Sequence, residues 1–259
     1  MMPSLFISHG SPMLTLEDAP TATFLRELSS TFPKPKAIIV ASAHWETAEP
    51  MLTGATNPET IYDFQGFPKV LYSLHYAVPG NPALANRVQS LLADAGIKAG
   101  VDPSRGLDHG VWNPLLLMYP DADIPVVELS VQPQQDATWH YRIGHALAPL
   151  KNENILIIGT GNLTHNLREA FRGHSKTPSW VTEFAEWVTK NVAQGNIKNL
   201  LDWKTLAPHA AENHPTPEHF LPFFVALGAG GQPPNSKHLH NDTALGVLAM
   251  DAYAFGGKI

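Results

Sequence analysis

The chain has 259 residues, with 23 acidic and 17 basic side chains and a formal net charge of −6. This length suits one large hydrophobic core, and the acidic excess gives no electrostatic reason to bind nucleic acid or an anionic membrane surface. The absence of cysteine excludes disulfides, iron–sulfur clusters and thiolate-bound zinc, so a metal would need His, Asp or Glu as ligands.

The first two predicted strands each end at a histidine. Residues 5–8 and 37–42 are short apolar runs followed by His9 and His44, and a helix is predicted between them over residues 22–32. In open α/β sheets, ligands bind just outside the carboxyl ends of the strands. Two neutral imidazoles at that edge would supply half of a metal site.

A long irregular stretch follows, from residue 46 to residue 80, and it is rich in aromatic side chains. Connections of this length in compact domains are usually functional or disordered, and the aromatic content argues against disorder. We predict that the stretch covers a pocket for a flat, apolar ligand. A helix then begins at Pro82 with Asn81 as its cap, and Gly96 ends it.

The remaining elements alternate as a layered α/β protein requires. Predicted strands cover residues 125–130, 155–159 and 245–255, and predicted helices cover residues 137–150, 180–193 and 216–228. The pattern predicts one α/β domain over residues 1–259, with a central, largely parallel or mixed β-sheet flanked by helices.

A third histidine follows the predicted strand 155–159. His165 comes after Gly159 and Gly161, which allow the backbone to turn sharply and to approach a ligand closely. The Gly-Thr-Gly-Asn run is not a dinucleotide-binding fingerprint, because the third glycine is absent and no acidic residue follows about 20 positions later. Three predicted strand ends with a nearby histidine favour convergence on one site.

Two more histidines have contexts that suit a site. His109 is flanked by glycine and preceded by Asp108, a candidate for orienting the imidazole, although a simple turn residue remains an alternative. His219 is predicted to be the third residue of a helix begun at Pro217, where the helix dipole disfavours a protonated imidazole. Because adjacent helical residues project about 100° apart, only one of Glu218 and His219 is expected to face a common metal.

The other sequence signals add no second chemistry. His140, His145 and His174 are interpreted as ordinary helix or surface residues. The chain has no Gly-x-Ser-x-Gly elbow and no phosphate-binding glycine loop with lysine. The predicted chemistry is therefore centred on a metal.

Six motifs in order carry a resemblance to a known family. They are ISHGSP at 7–12, SAHW at 42–45, DHGVW at 108–112, YPDADIP at 119–125, GNLTHN at 161–166 and PTPEH at 215–219. Together they resemble the 4,5-DOPA extradiol dioxygenase family, a branch of the class III, LigB-type ring-cleaving dioxygenases. The resemblance spans almost the whole chain, and it implies a LigB-like fold and the opening of a catechol such as DOPA with O₂.

The resemblance also implies a metal centre. Non-haem Fe(II) would support activity, and Zn(II) would occupy the site in some purified proteins. His9, His44 and His219 would be the metal ligands. His165 would be the acid/base or a fourth group near the metal, and His109 would contact substrate or oxygen.

Two departures from the family pattern bear on the site. Better-studied LigB-type enzymes complete a triad of two histidines and one carboxylate, so Glu218 remains the alternative to His219, and three imidazoles also suit catalytic zinc. Residues 63–68 resemble a family segment that begins with His where Tyr62 stands here. Tyr62 and Phe64, with His109, are the predicted substrate-binding residues.

The sequence also leads to predictions about alternative functions, binding partners and cellular location. A zinc-dependent hydrolase using the three-histidine site and a non-enzymatic binding protein on the same scaffold both remain open. The expected partners are a small aromatic catechol and O₂, without nucleic acid or membrane, and the chain is expected to be a monomer or a small homo-oligomer. Because no basic segment precedes the first apolar run and no run reaches roughly 18 residues, a cytoplasmic location is predicted.

Overall fold

The computed structural model describes residues 1–231 and 235–257. The strands are β1 (Ser4–Ser8), β2 (Ala37–Glu46), β3 (Met51–Thr53), β4 (Gly100–Asp102), β5 (Val126–Val131), β6 (Ile155–Gly161), β7 (Ser236–His240), β8 (Thr243–Ala244), β9 (Leu248–Ala249) and β10 (Ala252–Phe255). The α-helices are α1 (Pro20–Leu28), α2 (Pro82–Asp94), α3 (His109–Met118), α4 (Ala137–Leu147), α5 (Leu167–Arg172), α6 (Ser179–Ala193), α7 (Ile197–Leu201), α8 (Trp203–Leu206), α9 (Ala210–Asn213) and α10 (Leu221–Ala229). Short 3-10 turns cover Pro12–Leu16, Ser29–Thr31, Lys69–Ser73 and Ala148–Glu153.

The main sheet of the described residues is mixed and has eight strands in the order β4-β3-β5-β2-β6-β1-β10-β7. Its centre is parallel, because β2 pairs in parallel with both β5 and β6, and β6 pairs in parallel with β1. Strand β10 runs antiparallel to both of its neighbours, β1 and β7, and β3 is antiparallel to β5. The predicted single α/β domain with a mixed sheet is confirmed.

Strand β2 shows how the sheet forms the middle layer of the fold. Its side chains alternate between two hydrophobic clusters, as the period of a strand requires. Ile38 and Val40 pack in the cluster that contains Trp112 of α3, whereas Ile39 and Ala41 pack in the cluster formed with α2, α4 and α10. Burial on both faces explains the continuous apolar run in the sequence.

Helix α10 is buried at every residue and lies directly against the sheet. Two glycines of β6 permit this approach. A Cβ atom at Gly159 would lie 2.0 Å from the carbonyl oxygen of Pro222, and one at Gly161 would lie 2.0 Å from the carbonyl oxygen of His219. The sequence predicted that these glycines allow the backbone to turn sharply and to approach a ligand closely. In the structure they admit the backbone segment that carries His219.

The predicted helix 216–228 begins later than expected. Residues 216–220 form turns and α10 starts at Leu221, so His219 is not in the first turn of a helix. A helix begun at Pro217 would carry Pro222 in its interior, where proline lacks the N–H and clashes with the preceding turn. Starting at Leu221 places Pro222 in the first turn, where it is tolerated. The helix-dipole argument for His219 was therefore wrong.

Several other boundaries differ from the predictions. The stretch 46–80 is not wholly irregular, since it contains β3 and the 3-10 turn Lys69–Ser73. The predicted strand 245–255 divides into β9 and β10. The predicted helix 137–150 ends as α4 at Leu147 and continues as a 3-10 turn. No helix in the described part of the chain combines the length and apolar composition that crossing a bilayer requires.

Candidate metal centre

Histidines from distant parts of the chain meet at the edge of the sheet where the parallel strands β1, β2 and β6 end. His9 directly follows β1, and His44 lies two residues before the end of β2. His165 follows β6, His109 is the first residue of α3, and His219 lies in the turn before α10. The topology thus brings all five predicted site histidines into one cluster.

His9, His44 and His219 form one of three groups in the described part of the chain that could hold a metal ion, and it is the group made of histidines alone. One nitrogen from each ring lies within 4.8 Å of the others. The Nε2 atoms of His9 and His44 are 3.0 Å apart, and the His219 ring centroid lies 5.6 Å from that of His9 and 4.9 Å from that of His44. Three nitrogen donors around one point are a suitable ligand set for a transition metal with an open coordination position.

Burial keeps these three imidazoles neutral. Loss of water lowers the pKa of His9 and of His219 well below the ordinary histidine value, and the neighbouring histidines lower it further. Burial, followed by the nearby His109, lowers the pKa of His44 to about 4. A neutral imidazole keeps the lone pair that a metal requires, so the protonation state suits metal binding at neutral pH.

A carboxylate lies against His219. Glu218 Oε1 is 2.9 Å from Nδ1 of His219, which donates a hydrogen bond to it, and 4.0 Å from Nδ1 of His165. The prediction that only one of Glu218 and His219 could face the site assumed that both are in a helix. They are in a turn, and both side chains lie at the site. His165, Glu218 and His219 form a second group of atoms close enough to hold a cation.

His165 lies beside the three-histidine group rather than within it. Its ring stacks on the His219 ring with centroids 3.4 Å apart and planes 10° apart. Burial, followed by the nearby His214, lowers the pKa of His165 to about 3. The ring is therefore neutral at pH 7 and can accept a hydrogen bond from a molecule bound next to the metal group.

A second carboxylate, Asp63, approaches the cluster from the long stretch between β3 and α2. Its Oδ2 atom accepts a hydrogen bond from Nδ1 of His109 at 2.9 Å and lies 3.3 Å from Nδ1 of His44. Burial alone would raise the pKa of Asp63, but the two hydrogen bonds from His109 and the electrostatic attraction of His109 and His44 lower it to about 2. His44, Asp63 and His109 are the third group close enough to hold a cation.

The sequence analysis did not name Asp63 and offered Asp108 as a candidate for orienting His109, with a simple turn residue as the alternative. The Asp108 carboxylate turns away from His109, accepting a hydrogen bond from Ser42 at 2.7 Å and pairing with Arg105 at 3.2 Å. The carboxylate that contacts the His109 ring is that of Asp63. The available signal was its position between Tyr62 and Phe64, the two residues predicted to face the substrate.

Aromatic side chains line one side of the cluster. Phe64 presents its ring edge-to-face to His109 with centroids 5.6 Å apart. Tyr62 packs behind Phe64 and against Trp112, and its hydroxyl donates to the carbonyl oxygen of Leu74 at 2.6 Å. Of the two residues predicted to bind substrate, Phe64 therefore lies nearer than Tyr62 to the histidines.

Comparisons with known proteins bear on the chemistry of this cluster. Residues 3–250 match the model of a family described as the catalytic LigB subunit of aromatic ring-opening dioxygenase. The chain is 44% identical over 256 residues to a Beta vulgaris protein named 4,5-DOPA dioxygenase extradiol, covering 97% of this chain and 96% of that protein. It is 44% identical over 241 residues to an Escherichia coli K12 protein of the same name, covering 90% and 87%. The crystal structure of the uncharacterized protein JW3007 from Escherichia coli K12 has a TM-score of 0.83 and 38% identity, covering 99% of this chain and 100% of that one.

Proposed function

The chain belongs to the LigB family of aromatic ring-opening dioxygenases, and from this premise we propose that it is an extradiol dioxygenase that opens a catechol such as DOPA with O₂. The proposed metal ligands are His9, His44 and His219. Fe(II) is the proposed metal for activity, and Zn(II) is the proposed occupant of the same site in purified protein. The whole chain, residues 1–259, is proposed to act as one catalytic domain.

One observation carries the proposal of a metal centre. Three neutral imidazoles from separate elements, with His9 and His219 buried and His44 partly buried, direct ring nitrogens to within 4.8 Å of one another. Without a metal, the 3.0 Å contact between Nε2 of His9 and Nε2 of His44 can be satisfied by only one proton. A metal ion between the rings would use both lone pairs, so the residues present fit the ion that the family implies.

The metal would supply open coordination positions where the catechol oxygens and O₂ meet. The protein residues then have separate tasks. His165 is proposed to accept a catechol hydroxyl proton at a ring nitrogen, since it lies beside the ligand group and is neutral. His109 is proposed to contact substrate or oxygen through Nε2, because Asp63 occupies its Nδ1. Phe64 is proposed to pack against the flat face or edge of the catechol ring.

The test begins with metal-free protein loaded with Fe(II) under anaerobic conditions. Several catechols, including DOPA, are then added, and O₂ consumption and the absorbance of a yellow ring-opened product are followed. Oxygen uptake equal to product formed is expected, and protein without Fe(II) is the control. Full iron loading without O₂ uptake for any catechol would refute the proposal. Hydrolysis that needs Zn(II) and no O₂ would favour the hydrolase alternative.

A further inference from the structure

Asp63 makes three close contacts with two histidines of the site. Its Oδ1 atom accepts the backbone N–H of His109 at 3.0 Å, and its Oδ2 atom accepts Nδ1–H of the same residue at 2.9 Å. The same Oδ2 atom lies 3.3 Å from Nδ1 of His44. One carboxylate therefore contacts a proposed metal ligand and a proposed substrate contact at once.

These contacts determine which nitrogen of each ring carries the proton. An ionised carboxylate only accepts hydrogen bonds, so it favours a proton on the Nδ1 atoms that face it. In His44 this leaves the lone pair on Nε2, the atom that lies 3.0 Å from Nε2 of His9. In His109 it leaves Nε2 as the nitrogen available to a bound molecule. Carboxylates behind metal-binding histidines commonly fix the tautomer and the ring orientation in this way.

The backbone around Asp63 is itself held in place. The indole N–H of Trp112 donates to the carbonyl oxygen of Ile61 at 2.9 Å, and the N–H of Ile61 donates to the carbonyl oxygen of Leu107 at 2.8 Å. The segment that carries the carboxylate is thus tied to the start of α3, where His109 stands. The backbone that carries Asp63 is therefore held in place by hydrogen bonds. A carboxylate can hold a neighbouring ring in one orientation only if its own backbone is held in this way.

We infer that Asp63 is a positioning residue that holds His44 in the tautomer and orientation needed for metal binding and directs Nε2 of His109 into the site. The inference rests on the proposed function. Asp63 acts through the histidines, because Nδ1 of both rings faces its carboxylate while Nε2 of His44 faces the ligand group. A direct ligand role would require the Asp63–His109 hydrogen bond to be replaced by a metal contact.

The test compares Asp63→Asn and Asp63→Ala with a matched control, Glu59→Gln. Glu59 is an exposed carboxylate four positions earlier in the same stretch, and in the described structure its side chain makes no hydrogen bond or ion pair with a histidine, so its neutral variant removes only one negative charge. Zn(II) and Co(II) affinities of the metal-free proteins are measured by competition with a chromophoric chelator. Loss of about 10- to 100-fold in affinity is expected for Asp63→Ala. A smaller loss is expected for Asp63→Asn, because an amide oxygen still accepts one hydrogen bond.

A spectroscopic readout separates positioning from general damage. In the Zn(II)-loaded wild type, ¹⁵N spectra of the histidine rings are expected to show His44 protonated at Nδ1, and this signal is expected to shift or broaden in Asp63→Asn. With saturating Fe(II), kcat is expected to fall more than KM rises. Glu59→Gln is expected to match wild type in each measurement.

Three outcomes would overturn the inference. One is wild-type metal affinity together with an unchanged His44 ring signal in Asp63→Asn. Another is a second tightly bound metal per chain that disappears only in the Asp63 variants, because Asp63 would then be a direct ligand. A third is equal loss in Glu59→Gln. If the wild type binds metal and cleaves a catechol, and Asp63→Asn behaves the same, only the inference is refuted. If the metal-loaded wild type is inactive, the proposed function is refuted.

Discussion

Gly161 and His219 are in contact through the backbone: the space of a Gly161 side chain is occupied by the His219 carbonyl oxygen, which would lie 2.0 Å from a Cβ atom. The same carbonyl oxygen accepts the N–H of Asn162 at 2.9 Å. The end of β6 thus determines where the turn before α10 lies. The position of a proposed metal ligand depends on a missing side chain in a neighbouring strand.

Gly161→Ala is therefore expected to weaken metal binding as well as stability. Backbone cannot yield as a flexible side chain does, so the turn that carries His219 must shift, with a loss of about 1–3 kcal/mol of unfolding free energy. Gly144→Ala is the matched control, because its Cβ would lie 2.0 Å from the carbonyl oxygen of Val225, between α4 and α10. Urea unfolding should show destabilisation in both variants, and chelator competition should show weaker Zn(II) binding only in Gly161→Ala. Equal affinities in the two variants would contradict the argument.

Metal content is expected to separate His165 from the proposed ligands. His9→Ala removes one of three converging donors, so the purified variant should retain little metal. His165→Ala removes a ring stacked outside that group and should retain about one metal per chain, with kcat reduced by roughly 10²- to 10⁴-fold if proton transfer is lost. Elemental analysis and steady-state kinetics with saturating Fe(II) measure the two effects. Loss of metal from His165→Ala as complete as from His9→Ala would assign it a ligand role.

Glu218→Gln tests whether this carboxylate supports His219 or binds the metal itself. If Glu218 orients the ring through Nδ1, the glutamine oxygen still accepts the hydrogen bond, and metal affinity should fall by about tenfold or less. If Glu218 is a direct ligand, binding should nearly disappear. Glu46→Gln is the control. Burial raises the pKa of Glu46, and the charge of the nearby Glu218 raises it further, so the two carboxylates are neighbours. Glu46 makes no hydrogen bond to a histidine in the described structure. Competition titrations of all three proteins decide between the roles.

The sequence was sufficient for the parts of the site that depend on local pattern. A strand has a direction, so an apolar run followed by histidine places His9 and His44 at the carboxyl edge of a parallel sheet. The helix started by Asn81 and Pro82 was also predicted from a local pattern, a capping residue followed by a first-turn proline, and the Asn81 side chain does accept the N–H of Leu84. These features need only a few neighbouring residues to be recognised.

The parts that failed depend on contacts between distant segments. Asp63 and His109 are 46 positions apart, and no local signal pairs a loop carboxylate with one histidine among thirteen. The start of α10 was misplaced because Pro217 and Pro222 are both acceptable helix starts by pattern. The later start is correct because a helix begun at Pro217 would hold Pro222 in its interior. Gly161 had a recognisable need for space, but the sequence did not say that the space belongs to His219.

A buried histidine outside the metal centre predicts how stability depends on pH. His140 of α4 is fully buried, donates from Nδ1 to the carbonyl oxygen of Asp136 at 2.8 Å and accepts the N–H of Gln132 at Nε2. Burial lowers its pKa to about 4, although the Asp136 carbonyl opposes the shift. An unfolded histidine has a pKa near 6.5, so as the pH falls below about 6.5 the unfolded chain takes up the proton first.

His140 should therefore cost the wild type about 2 kcal/mol of unfolding free energy between pH 7 and pH 5. His140→Gln cannot take up this proton, so its stability should fall less over the same interval, whatever its stability at pH 7. His145→Gln is the control, because His145 lies on the same helix but is exposed. Urea unfolding of the three metal-free proteins at both pH values, with chelator present, isolates the effect from metal binding. Parallel losses in wild type and His140→Gln would show that the buried ring does not stay neutral in the folded state.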